Sequence, residues 1–180
     1  MHGGTRYRSL LEAKWAAFFT RLGWEYEYEP FEGNGYIPDF AIYGPAPLII
    51  EVKPAVTWPD LHAHTQKVAQ GLDGIWQSDI LIVGASPIRL RATQLAAGLL
   101  GESCLTPDGN VGWDWAPGNW FYCLECDNNE INVYHDNMSF HGRPCNHYSG
   151  DHHLGHIVEP DLERIWKRAC NEVQWRGNNQ

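Results

Sequence analysis

A mixed α/β fold follows from three observations on this 180-residue chain. First, Tyr7, Leu11, Trp15, Phe18, Phe19 and Leu22 recur at helical spacing, and Gly23 is placed to end an amphipathic helix over about 5–22. Second, two apolar runs, 37–43 and 48–53, flank Gly44-Pro45-Ala46-Pro47, which reads as strand, hairpin loop, strand. Third, a helix over about 59–73 precedes a short buried strand, Asp79-Ile80-Leu81-Ile82-Val83-Gly84. A strand–helix–strand order implies a parallel neighbour in the sheet.

The remaining elements follow in chain order. Ser9-x-x-Glu12 fits a capping box at the start of the first helix, which gives Glu12 an ordinary structural reading. Trp24-Glu25-Tyr26-Glu27-Tyr28-Glu29 alternates strictly, predicting a strand with aromatic rings inward and three glutamates in water. The second helix begins near Trp58-Pro59-Asp60 and carries Lys67 and Gln70 on a solvated face, with His62 and His64 just before them. Residues 88–100 fit either a helix or a strand, because Leu95, Leu99 and Leu100 allow both. Residues 103–120, rich in Gly, Pro and Trp, read as irregular. A last helix over about 159–175 aligns Leu162, Ile165, Trp166, Ala169 and Val173 on one face.

Composition narrows the class. With 43% hydrophobic residues and nine tryptophans, the chain is expected to fold and to bury a sizeable core. No apolar run approaches the length of a membrane span, and Met1-His2-Gly3-Gly4-Thr5-Arg6 offers no secretory signal. A cytoplasmic protein without membrane partners is expected. Five cysteines, three of them among histidines, favour metal ligation over a disulfide framework. The net charge of −9 argues against simple sequence-independent DNA binding, which draws much of its affinity from basic surface.

The chemistry concentrates in Ile37-Pro38-Asp39-Phe40 and Ile49-Ile50-Glu51-Val52-Lys53. Side chains alternate along a strand, so Ile49, Glu51 and Lys53 share one face while Leu48, Ile50 and Val52 share the other. Two charges on one face of a core strand are costly to bury unless something uses them. Two carboxylates and an ammonium converging on one point suit a divalent cation and an activated water.

Pro38-Asp39 … Glu51-Val52-Lys53 resembles the PD-(D/E)xK nuclease superfamily, which includes type II restriction enzymes, archaeal Holliday-junction resolvases and transposon-end-cutting nucleases. The similarity continues upstream through Tyr7-Arg8-Ser9-Leu10-Leu11-Glu12-Ala13-Lys14-Trp15 and the Gly-Trp-Glu-Tyr-Glu that follows, over the first third of the chain. In this it is similar to small nuclease-like proteins of phages and mobile elements. The resemblance implies a restriction-endonuclease-like mixed sheet flanked by helices, with a strand near 96–100. It also implies Asp39 and Glu51 as Mg2+ (or Mn2+) ligands, the Val52 carbonyl as a further ligand, Lys53 assisting the attacking water, and Glu12 helping from the first helix. A common site sets a condition on register. A symmetric four-residue loop would put Asp39 opposite Val52, whereas an odd-length loop, a bulge or a bend brings it to the Glu51/Lys53 face.

A second constellation lies downstream. Cys123-Leu124-Glu125-Cys126 is a C-x-x-C knuckle, and Cys145-Asn146-His147 follows after eighteen intervening residues, amid six histidines between 135 and 156. That spacing matches structural zinc. Cys123, Cys126, Cys145 and His147 are the expected Zn2+ ligands, with His152 or His153 as alternatives for the fourth. Residues 127–144 read as turns between short strands. Cys104 and Cys170 read as packing residues. The expected organisation is a nuclease-like core over 1–118, a zinc-binding segment over 119–156 and a C-terminal helix over 157–180 that packs on the core.

The function these features predict is a Mg2+-dependent endodeoxyribonuclease, in the host cytoplasm if phage-encoded. DNA is the expected partner, a recruiting protein a further one. Arg6, Arg8, Arg89, Arg91, Arg164, Lys167 and Arg168 are candidate phosphate contacts. The alternative is a nuclease-like but inactive module that binds and regulates a protein partner, which the acidic balance fits.

Overall fold

A computed structural model describes residues 3–44, 46–91, 94–123, 131–134, 140–141, 154–156 and 159–174. It contains three helices, α1 (Leu10–Arg21), α2 (Trp58–Leu72) and α3 (Glu159–Glu172). The strands are β1 (Glu27–Tyr28), β2 (Phe40–Ile42), β3 (Leu48–Val52), β4 (Asp79–Val83), β5 (Ile88–Arg91), β6 (Gln94–Leu105), β7 (Val111–Cys123), β8 (Ile131–Tyr134), β9 (Phe140–His141) and β10 (Leu154–His156). All ten join one mixed sheet of order β1-β2-β3-β4-β6-β7-β8-β9, with β5 beside β6 and β10 beside β7. Among the described strands β3 and β4 form the one parallel pair, as expected for strands joined through α2.

Capping chemistry sets the helix starts. Ser9 accepts a hydrogen bond from the Glu12 N–H at 3.1 Å and thereby fixes the first turn of α1. The helix begins later than its apolar spacing predicts. Tyr7 stands outside it and packs edge-on against Tyr28, ring centroids 4.7 Å apart. Thr57 and Asp60 form a complete reciprocal capping box on α2, with Pro59 in its first turn. At the other end of α1, Gly23 takes φ 73°, the left-handed conformation that closes a helix.

The sheet carries apolar side chains on both faces. Phe40, Ile42, Leu48, Ile50, Val52, Leu81 and Val83 pack with Trp15, Phe18 and Phe19 of α1 and with Leu162 and Ala169 of α3. Ala41, Ile49, Ile80, Ile82 and Leu99 pack with Leu61, Val68 and Leu72 of α2. The two layers explain why β3 and β4 read as continuous apolar runs: both their faces are covered. Trp15 also ties α1 to the end of β4 through its indole N–H, which donates to the Gly84 carbonyl at 2.7 Å.

The structure also corrects other sequence expectations and settles one that was open. The alternating stretch 24–29 yields only the two-residue strand β1, although Tyr26 and Tyr28 do face the core while Glu25 and Glu27 are exposed. Residues 88–100, which fit either a helix or a strand, form β5 and β6, and the strand implied near 96–100 lies within β6, in the antiparallel slot beside β4. The stretch 103–120 is not irregular: it completes a long β6–β7 hairpin in which Gly101 pairs with Trp115 and Glu102 with Asp114. A Cβ on Gly101 would lie 2.8 Å from the Trp115 ring, so glycine here is a slot for the indole and not a breaker. The hairpin turns at Gly109, φ 82°. Its far end leaves Cys104 exposed, contrary to a packing role. β7 runs straight through residue 118, the expected edge of the core. No helix among the described residues is long and apolar enough to cross a membrane.

Candidate active site

The β2–β3 hairpin sets the geometry. Ile42 pairs with Leu48, so five residues, 43–47, make the connection, one more than the Gly-Pro stretch alone. Phe40 then faces Ile50, and the same register carried one step further sets Asp39 opposite Glu51. Opposed residues in an antiparallel pair share a face, here the one that α2 covers. Asp39 and Glu51 are both buried, at 5% and 4% exposure. Asp39 Oδ2 accepts a hydrogen bond from the Val52 N–H at 2.7 Å, which locks its carboxylate at the end of β3. Lys53 Nζ donates to Glu51 Oε1 on the same face.

Electrostatics mark the pair as under-compensated. Burial, and next the charge of Glu51, push the Asp39 carboxyl up to about 7, against the opposing effect of the Val52 N–H; Glu12 adds to the rise and Lys53 opposes it. Glu51 Oε2 is buried with no hydrogen-bond partner, and so is the Tyr36 hydroxyl. Burial and the adjacent Glu51 charge drive the Tyr36 hydroxyl far above its ordinary range. His64 of α2 is held below its ordinary value by burial and by Lys53 and Lys67, so it is neutral at pH 7.

Glu12 approaches from α1. Its Oε2 accepts from the Tyr28 hydroxyl at 2.7 Å and from the Arg8 N–H at 3.1 Å. The carboxylate therefore reaches back one residue beyond the cap and holds Tyr28, whose hydroxyl burial and this contact push up to about 12. Arg8 departs from the phosphate-contact expectation: its guanidinium meets Asp39 Oδ1 at 2.9 Å and Glu29 at 2.7 Å. Glu29 is likewise not a purely solvated residue. It adopts φ 49°, its N–H donates to the Asp39 carbonyl at 3.0 Å, and its side chain faces Arg8. Arg89 and Arg164 are also ion-paired, to Glu163 at 2.5 Å and to Asp161 at 2.7 Å. Lys67 and Gln70 stand exposed on α2.

No protein-family model, curated protein or solved structure matches this chain. The site therefore has to be read from its own chemistry. Among the described residues no three His, Cys, Asp or Glu side chains gather as a ready-made metal cage. Mg2+ asks for less, since it keeps several waters and is held by one or two carboxylates. Two opposed buried carboxylates with one uncommitted oxygen fit such an ion, with Asp39, Glu51 and the Val52 carbonyl as the groups that would hold it. Bound there, it would supply charge stabilisation to a phosphate oxygen and acidify a water.

Tyr36 is the residue the sequence reading missed, and its signal was local. Gly33 and Tyr36 exchange two backbone hydrogen bonds around Asn34 and Gly35, both at positive φ, 53° and 68°. Asn-Gly is the strongest short hairpin signature, and this turn delivers the tyrosine to the site. A Cβ on Gly71 of α2 would lie 2.6 Å from the Tyr36 ring, so the helix is glycine where the ring passes. The expected zinc ligands Cys126, Cys145 and His147, with His152 and His153, lie outside the described residues. Cys123 ends β7, and its side chain is likewise outside them.

Proposed function

We propose that this chain is a metal-dependent endodeoxyribonuclease of the PD-(D/E)xK kind, with a restriction-endonuclease-like core. The observation that carries the reading is the odd-length β2–β3 connection, which sets Asp39 opposite Glu51 with Lys53 beside them. In this reading Asp39 and Glu51 hold Mg2+ or Mn2+. Val52 fixes Asp39 through its N–H, and Lys53 orients the attacking water or balances charge on the phosphate. Hydrolysis then breaks the P–O bond to the leaving sugar oxygen, which takes up a proton, as the water oxygen joins phosphorus from the opposite side. The proton that the attacking water gives up passes to solvent. The segment that follows β7 is zinc-stabilised in this reading, with Cys123, Cys126, Cys145 and His147 as the ligands.

The test is cleavage of plasmid, linear and branched DNA with Mg2+ or Mn2+, beside Glu51→Gln and Lys53→Ala. Cutting by the parent chain and loss in both variants is expected. Equal activity in all three would sink the site.

One observation favours the alternative, a nuclease-like module that regulates a protein. Arg8 and Lys53 already satisfy part of both carboxylates internally, as in a site closed for good. Absence of cutting on every DNA form, with a stable folded chain, would support that second reading.

A further inference from the structure

A second concavity lies on the same sheet face as the carboxylates and towards the same end of the strands. It encloses about 410 Å³ between the start of α2 and the β6–β7 hairpin. Trp58, His62, Trp115 and Pro117 line it with flat or rigid apolar surface, and Gln94 and Asn119 supply its polar wall. Trp58 and His62 meet edge-on, ring centroids 5.4 Å apart, which fixes the Trp58 ring. Gln94 Nε2 donates to Asn119 Oδ1 at 3.0 Å. That bond uses one of the pair's four N–H donors and one of its two carbonyl oxygens, and leaves three N–H groups and the Gln94 Oε1 outside it. Among the described side chains no Lys or Arg lines the cleft.

We infer that this cleft binds an unpaired nucleobase of single-stranded nucleic acid. Two indoles offer the stacking faces that every base can use. An adjoining side-chain amide pair offers the donor and acceptor that a base edge requires. Position supports the assignment. Trp58 follows Lys53 by five residues, and β7 stands three strand spacings from β3, about 14 Å. A strand whose phosphate reaches Asp39 and Glu51 can therefore set a base a few nucleotides away into the cleft. The inference rests on the phosphodiesterase reading for its substrate class and explains how an acidic chain gains hold on DNA: by stacking, which needs no basic surface.

Binding is measured apart from cleavage, in EDTA, with the Glu51→Gln chain. Its tryptophan fluorescence is titrated with a short single-stranded oligothymidylate and with an abasic strand of equal length. Quenching by the thymidylate, with affinity at least tenfold above the abasic strand, is expected. Trp58→Ala should lower affinity by roughly ten- to a hundredfold, the worth of one stacked base, and Trp58→Phe should restore most of it. Gln94→Ala, chosen because it removes no core side chain, should lower it severalfold. Equal affinity for the abasic strand, or no effect of Trp58→Ala in a chain with unchanged near-UV circular dichroism, overturns the inference. So does a cleft that takes an aromatic peptide and not the oligonucleotide. Absence of cutting by the parent chain, with intact base binding, would instead count against the carboxylate site alone.

Discussion

The Asp39 carboxylate accepts the backbone N–H of Val52 at 2.7 Å, so the residue next to Glu51 holds the second acid of the site in place. This bond works against the burial and the Glu51 charge that both favour the protonated form of Asp39. Two acids are thereby kept close in a setting that resists ionising both.

The metal-free protein should lose stability as pH rises. Asp39 titrates at about 7 when folded and near 3.8 when unfolded. Between these values the folded chain keeps a proton that the unfolded chain has released, so stability falls through that window and levels off above it. In EDTA the Tm should drop from pH 5 to pH 8, and Mn2+ should flatten the profile by favouring the ionised pair. Glu51→Gln, which removes the second largest cause, should reduce the slope. A Tm that ignores pH over this range would remove the electrostatic argument.

Glu51→Gln should also separate stability from activity. It keeps an acceptor for Lys53 and relieves repulsion with Asp39, so the metal-free variant at pH 8 should melt higher than the parent, at about 2–4 °C per kcal/mol gained. Cleavage should fall by about 10²–10³, the usual cost of losing one group that stabilises developing charge. Lower Tm together with lower cleavage would point to a structural role for Glu51 instead.

Arg8 already holds Asp39 Oδ1, so a cation bound there would have to displace it. Its side chain is half exposed, so its ion pairs contribute at most about 1 kcal/mol to stability. Arg8→Gln should leave Tm within a few degrees and lower the Kd for Mn2+ severalfold by calorimetry. Weaker Mn2+ binding would show that Arg8 helps to organise the site.

The contact between Gly71 and Tyr36 has little slack. Gly71→Ala forces a methyl against the ring and should cost about 1–3 kcal/mol in urea denaturation, as overpacking does. Tyr36→Phe should be nearly neutral, because the hydroxyl it removes is buried beside Glu51 without a well-formed hydrogen bond. A Gly71→Ala, Tyr36→Ala double variant should regain part of the Gly71→Ala loss. Strict additivity would refute the clash.

Zinc content reports on the proposed insertion. Cys123→Ser should lower the bound zinc measured by atomic absorption, since a tetrahedral structural site needs all four ligands. Unchanged metal content would remove Cys123 from the ligand set.

How much of this was legible depends on the range of the interaction. Alternation in Leu48–Val52 was readable because each residue's face follows from its own position, and both faces are covered as the apolar run implied. The loop length was readable only as a condition, since Tyr43 could end β2 or begin the turn and sequence alone does not choose. Gly101 and Trp115 misled because a glycine is read locally as a breaker, whereas its use here depends on a ring fourteen residues away. Arg8 was chosen for phosphate because its partners, Asp39 and Glu29, are distant in the chain and converge only through the β1–β2 pairing.

The α1–α3 contact has a consequence for the order of synthesis. Trp166 packs on Trp15 and Phe18 at centroid distances of 4.7 and 5.5 Å, and Leu162, Ala169 and Val173 close the same layer. All of the proposed catalytic side chains lie before residue 54, yet the wall behind them is the last described segment to leave the ribosome. A nascent chain would therefore carry its carboxylates long before the helical layer that backs their sheet can close.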